Sequence, residues 1–408
     1  MVSSLSRKLP EGSLGTDADA DASTGANADA VAGAVERDPF FDNAKYLAIV
    51  LVAVGHSWEP LPDSGRVVEA LYTLLYAFHM PVFIVIAGYF SRGFDLSPKR
   101  VWRLFTGILV PYAIFEVAYT LFHRAVEDPG FPLTPTDPYW ILWFLPALFL
   151  WRITTPFWQL VRWPVPLALA VAALASMSTG VGDDLQLMRV LQFLPFFVLG
   201  LRLRPEHFAY LRRAWVRVAA LPVLLVALLV AYWSVPRVST SWLFRSYSAR
   251  ELEEPVWTGA AMTLLMFAAA LVLGACFLAW VPRRRLWMTA LGAGTLYGYL
   301  LHGFFIRGAR YLGGYEDPFF ETQAGRITVT LAAALLVTAL CTPPVRRAFR
   351  FVVEPRMEWA LRAGGGTGPG SPTYAQPSEK NSEENSERQP RELQGPAHRP
   401  GRRDRGGR

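Results

Sequence analysis

The 408-residue chain is poor in cysteine, in lysine and in charge. Its two cysteines, Cys276 and Cys341, each sit inside an apolar run. They read as small core hydrophobes, which excludes a disulfide-stapled secreted scaffold and a zinc or redox dithiol. Charged residues make up 18% of the chain against 52% hydrophobic, a balance too apolar for two or three soluble domains of this total length. No His-x3-His, CxxC or clustered Asp/Asn spacing offers a metal site, and no GxSxG turn presents a serine nucleophile. The glycine run at Gly364 has neither a strand before it nor a helix after it, so it cradles no phosphate. The net charge of +7 raises nucleic-acid binding, but the placement of the charges accounts for it otherwise and no nucleic-acid partner is expected.

What the chain has in abundance is long apolar sequence, with 14 Trp, 26 Phe and 15 Tyr. Ten apolar stretches fall at about 44–58, 67–90, 101–122, 139–157, 164–179, 188–201, 215–234, 256–280, 287–306 and 327–344. The expected fold is therefore all-α, a polytopic membrane bundle of about ten transmembrane helices over residues 38–362. The flanks differ in kind. Residues 1–37 are rich in Ala, Asp, Ser, Thr and Gly and read as a disordered cytoplasmic leader; residues 363–408, with runs such as SEKNSEENSERQPRE, read as a disordered cytoplasmic tail.

Loop charge gives an independent test of the count. The odd-numbered connections contain nine basic residues (Arg66, Arg124, Arg189, Arg237, Arg245, Arg250, Arg307, Arg310 and Arg326), whereas the even ones and the segment after the last span contain seventeen. Acidic residues reverse the pattern, with thirteen on the odd side and Asp95 and Glu206 in the even connections. The excess of Lys and Arg in short cytoplasmic loops then puts both termini inside.

Ionisable groups within spans are costly and mark candidate sites. Four stand out: His56, His79, Glu116 and His302. In the first span, FFDNAKYLAIVLVAVGH, Lys45 and His56 are eleven residues apart. Eleven steps of about 100° return to nearly the same helix face, about 16 Å further along. One helix thus aligns a cation at the inner surface with an imidazole toward the outer half. That suits a cytoplasmic acyl-CoA with phosphates near Lys45 and thioester near His56. An interfacial anchor at Lys45 and an interhelical hydrogen bond at His56 fit the spacing equally.

The run DNAKYLAIVLVAVGH resembles the Arg/Lys-x10-His opening of the integral-membrane acyltransferase 3 family, especially its fucose 4-O-acetylase-related branch. The likeness continues, in order, through FHMPVFIVIAGYF, PKRVWRLFTGILVPY, WILWFLPALFLWR, LQFLPFFVLGLRLR and TLYGYLLHGFF, covering about residues 38–350. The second of these fragments often carries Arg in the family where this chain has His79. The resemblance implies transfer of an acetyl or other short acyl group from cytoplasmic acyl-CoA, a donor substrate and not a resident cofactor, to a hydroxyl. The acceptor it implies is a sugar of a surface glycan, a lipid-linked precursor or a glycosylated small molecule.

Roles follow. His56 is the expected general base, with an acyl-imidazole carrier as the alternative. His302, at a similar depth, and Glu116 are placed with it as catalytic candidates. Lys45 and its neighbours Asp42 and Asn43 are assigned to the donor end, as are Arg100 and Arg103. Helix capping is the competing role for Asn43, and a positive-inside signal alone the competing role for the two arginines. His79, before Met80-Pro81 where the proline is expected to open the helix, and Glu59 are assigned to the substrate. His123, His207 and His398 are expected to be solvated. A transporter or flippase for a glycan-type substrate is the rival function, although the halves of the chain show no internal repeat.

Overall fold

The computed structural model describes residues 38–61, 65–182, 184–355 and 357; the expected leader and tail lie outside them. Among the described residues there are helices and turns but no strand. All ten apolar stretches are helical. They form α1 (Pro39–Trp58), α2 (Gly65–Ser91), α3 (Pro98–Val126), α4 (Trp140–Ile153), α5 (Pro164–Met177), α6 (Leu187–Arg202), α7 (Ala214–Ser234), α8 (Val256–Trp280), α9 (Thr295–Tyr311) and α10 (Gln323–Leu340). An amphipathic α11 (Pro343–Val353) follows. The helices α2, α3, α7, α8 and α10, with α6 and its leading turn, are long and apolar enough to cross a membrane, while α4 and α5 are shorter apolar helices. The protein is a multi-pass membrane protein, and six of its described helices are long and apolar enough to cross by length and composition alone.

Capping sets where α1 begins. Asp38, before Pro39, accepts a hydrogen bond from the Phe40 amide at 2.9 Å, and proline at the first helical position gives up no needed donor. Capping by Asn43 is thereby corrected: Asn43 lies inside the helix, fully buried. Its amide nitrogen donates to the carbonyls of Pro282 (2.9 Å) and Arg284 (3.1 Å), and its oxygen accepts from Thr289 (2.7 Å). One asparagine thus fixes α1 against the segment leading into α9.

Two glycines set the crossing of α2 and α6. A Cβ on Gly88 would lie 2.2 Å from the Phe197 carbonyl oxygen, and one on Gly200 would lie 2.3 Å from that of Val85. Only a residue without a side chain permits this approach. Pro81 does not open α2, which runs as one helix from Gly65 to Ser91. In α3 a π-helical turn at Phe105–Leu109 precedes the stretch that buries Tyr112, Glu116 and Tyr119 at helical spacing. The ninth apolar stretch is divided: a 3-10 segment, Trp287–Gly294, precedes α9, so His302 falls near the middle of its helix and not close to its end. At the periphery, Leu221, Leu225, Val226, Leu229 and Val230 of α7 are all more than half exposed, the pattern of a helix face turned to hydrocarbon.

Candidate active site

His56 sits in the last turn of α1, in the wall of a cavity of about 290 Å³ that Tyr76 and His79 of α2, Trp140 of α4 and Tyr299 of α9 also line. Its Nδ1 lies 2.9 Å from Glu59 Oε1 and 3.1 Å from the Tyr76 hydroxyl, and Tyr76 itself donates to Glu59. A carboxylate only accepts, so Nδ1 carries the proton in this pair and Nε2 is left bare. No described residue hydrogen-bonds Nε2. The arrangement is a histidine steered by a carboxylate, with the steered ring's other nitrogen available to take a proton. Glu59 lies just past the end of α1. Burial pushes its carboxyl up, but attraction to His56, hydrogen bonds from His56 and Tyr76, and the Arg307 charge outweigh this and hold it below the usual range.

His302 stands behind His56. The two rings are 5.6 Å apart between centroids, so the expectation of similar depth holds. Yet His302 is fully buried and is not among the residues lining the cavity. Its Nδ1 is spent on the carbonyls of Gly298 (3.0 Å) and Tyr299 (2.8 Å), and its Nε2 is buried without a partner. His79 does line the cavity, with Nδ1 donating to the Leu75 carbonyl at 2.9 Å.

Toward the start of α1 lies a second cavity of about 380 Å³, lined by Lys45 and Arg152 and sharing Val52, Met80 and Tyr299 with the first. On α1 and its C-cap the lining residues are Lys45, Ile49, Val52, His56 and Glu59, a stripe at spacings of three and four that follows one helix face through both cavities. Lys45 Nζ also pairs with Asp42 at 2.7 Å. Asn43 is committed to the fold. Arg100 and Arg103 do not line this cavity: both are exposed, with Arg100 3.4 Å from Asp95. The guanidinium that does share it with Lys45 is Arg152, held through Nε to Ser91 at 3.1 Å.

A third cavity, of about 510 Å³, adjoins the His56 cavity on the other side and shares Trp140, Arg189 and Arg307 with it. Glu116 lines this cavity and not that of His56, and its Oε2 accepts from the Tyr139 amide at 2.9 Å. Trp140, the next residue, has φ 41°, a left-handed backbone that a tryptophan rarely adopts. That turn sets the indole against His56 (centroids 4.7 Å apart), with the Arg307 guanidinium 4.2 Å over its ring. His123 is not solvated, contrary to expectation. Its Nδ1 meets the hydroxyls of Tyr311 (2.8 Å) and Tyr139 (3.2 Å), and the residue lines the same cavity. His207 is exposed, its Nδ1 accepting from the Arg204 amide at 2.8 Å, and His398 lies outside the described residues. Sequence reasoning missed Tyr76, Trp140, Arg152, Arg189 and Arg307. For the last two a signal existed, since both are basic residues on the side of the chain where basic residues are scarce. Among the described residues, no group of three or more His, Cys, Asp or Glu is placed to hold a metal ion.

Comparison with known proteins gives two findings. A family model described as an acyltransferase domain, the third of that name, matches residues 38–345. The nodulation protein NolL of Mesorhizobium japonicum is 28% identical over 186 residues, covering 41% of this chain and 48% of that protein. NolL of Sinorhizobium fredii is 29% identical over 186 residues, covering 41% and 49% respectively. The chain spans about half the length of the curated relatives it matches. No solved structure matches it.

Proposed function

Because the chain belongs to the acyltransferase 3 family, we propose that it moves an acetyl or other short acyl group from acyl-CoA to a sugar hydroxyl, with His56 as general base. The acceptor would be a surface glycan, a lipid-linked precursor or a glycosylated metabolite. The reading places the protein in a bacterial plasma membrane with the Lys45 end toward the cytoplasm. The observation that carries it is the stripe from Lys45 to Glu59 through two adjoining cavities, ending at an imidazole whose Nδ1 is held and whose Nε2 is free.

In this reading the donor's phosphates meet Lys45 and Arg152, and its pantetheine arm passes Val52, Met80 and Tyr299 to bring the thioester to His56. The lysine-to-histidine rise of about 16 Å matches that extended arm in order of magnitude. His56 Nε2 takes the proton of the acceptor hydroxyl as the oxygen forms a bond to the thioester carbon. The tetrahedral intermediate collapses with cleavage of the carbon–sulfur bond. The proton on Nε2 passes to the departing thiolate, leaving an ester and free CoA–SH. Glu59 keeps the ring in one tautomer and faces the imidazolium that forms midway, the part a carboxylate plays beside any histidine base. Arg307, near both, supplies positive charge where the oxyanion develops.

The test uses purified protein in vesicles with acetyl-CoA and the membrane glycan extract of the cell that makes it. Replacing His56 by Ala is expected to lower transfer by about 10²–10⁴-fold with the fold intact. Transfer at the wild-type level in that variant defeats the mechanism. Movement of a glycan across the vesicle with no thioester consumed defeats the enzyme reading in favour of a transporter.

A further inference from the structure

The cavity lined by Glu116 is not explained by donor binding or by the proton transfer at His56. It holds a buried carboxyl and two arginines that do not pair with one another. Glu116 is 3% exposed and no cation of the described residues lies within ion-pair distance of it. Arg189 and Arg307 line the same space and have no carboxylate partner within that distance among the described residues. Arg307 Nε is buried with no hydrogen-bond partner. Arg189 donates to the Ser246 hydroxyl at 2.5 Å and lies 5.4 Å over the Trp143 ring, neither of which is an anion. Buried charges left apart are costly to the fold, and a ligand that satisfies them relieves that cost.

The remaining wall says what kind of ligand. Three acidic side chains (Glu116, Glu127 and Asp137) line the space with three arginines (Arg189, Arg307 and Arg310), so no formal excess of one sign is built into it and a neutral ligand is favoured. Carboxylates accept hydrogen bonds and guanidiniums donate them; a hydroxyl can do both, and a molecule with many hydroxyls engages both kinds of group at once. Phe131, Tyr139, Trp140 and Tyr311 add ring faces suited to the apolar side of a saturated ring. The volume of about 510 Å³ is that of a small-molecule site.

We propose that this cavity is the acceptor subsite, that it takes an uncharged sugar ring, and that the ring's reactive hydroxyl reaches past Trp140 to His56. The assignment rests on the acyl-transfer reading and adds to it where the acceptor binds and what charge it bears. Glu116 is then an acceptor-binding residue and not part of the proton relay, and Trp140 is the partition between acceptor and thioester.

Transfer of radiolabelled acetyl groups to the same glycan extract is measured with two variants. Glu116→Gln replaces the buried carboxyl by an amide; Thr134→Trp fills the cavity from its exposed rim, where a large side chain leaves the buried core untouched. Both are expected to raise the apparent KM for the extract at least tenfold while leaving the KM for acetyl-CoA within twofold. In the wild type, p-nitrophenyl glycosides of neutral hexoses should compete with the extract and not with acetyl-CoA, and those of a uronic acid or an amino sugar should compete less well. If Glu116→Gln fails to fold, Thr134→Trp carries the test. Unchanged acceptor KM in Thr134→Trp, a change confined to acetyl-CoA, or stronger competition by a charged glycoside overturns the subsite while leaving the transferase standing. A wild-type protein that spends no acetyl-CoA on the extract overturns the transferase reading, and the subsite with it.

Discussion

Glu59 Oε1 lies 2.9 Å from Nδ1 of His56, three residues earlier in the chain, and Tyr76 from the neighbouring helix bonds to both. The imidazole is therefore locked from one side by groups of two elements. Replacing Glu59 with Gln keeps the shape and lets the ring take the wrong tautomer. The expected outcome is a fall in kcat of up to about 10⁴-fold, with little change in the KM for acetyl-CoA. Steady-state kinetics on the purified variant check it, and a change confined to KM would assign Glu59 to substrate binding instead.

The donor end yields a contrast between arginines. Lys45 and Arg152 share a cavity, whereas Arg100 and Arg103 lie outside it. Removing Lys45 or Arg152 is expected to raise the KM for acetyl-CoA about tenfold or more, the effect of one charge-assisted hydrogen bond. Arg100→Ala and Arg103→Ala should change it by less than threefold. Titration with dephospho-CoA beside CoA would show which of the two residues meets which phosphate.

The crossing of α2 and α6 makes a prediction about stability alone. A methyl group at Gly200 has nowhere to go, because the Val85 carbonyl oxygen would lie 2.3 Å from it. Gly200→Ala should destabilise the protein by about 1–3 kcal/mol, seen as a lowered Tm in detergent. Gly93, whose added Cβ would meet nothing within 4 Å, is the matched control and should show no loss.

Kinetic order follows from the cavities. The Lys45 cavity and the Glu116 cavity reach His56 through different side chains, Val52, Met80 and Tyr299 for one and Trp140, Arg189 and Arg307 for the other. Donor and acceptor can then be bound together. Initial-rate plots at several fixed acceptor concentrations should intersect; parallel lines, the mark of a carried acyl group, would move His56 from base to nucleophile.

The helices were legible because apolar runs and loop charge report burial in lipid directly. All ten runs are helical, and the Lys45–His56 stripe follows from periodicity alone. Length separates the helices less clearly: six are long and apolar enough to cross on that criterion, while α4 and α5 are shorter apolar helices. The site around His56 is harder to read because it is assembled from the ends of separate helices, and no local pattern links Tyr76, Trp140 and Arg307. A rule and its exceptions carry part of it. Arg189, Arg245 and Arg307 belong to the basic-poor connections, where each departs from the positive-inside pattern. Two of them line the His56 cavity, and Arg245 is buried against Phe193 and Phe196. Asn43 failed as a cap because Asp38 lies one turn earlier, ahead of a proline.

The Lys45 cavity and the His56 cavity share a collar of Val52, Met80 and Tyr299. If the two cavities open to opposite sides of a membrane that holds an ion gradient, that collar is the seal between them. On the proposed acyl-transfer reading, a collar that parts for a thioester also opens a route for protons, so it must stay shut until the donor itself fills the gap.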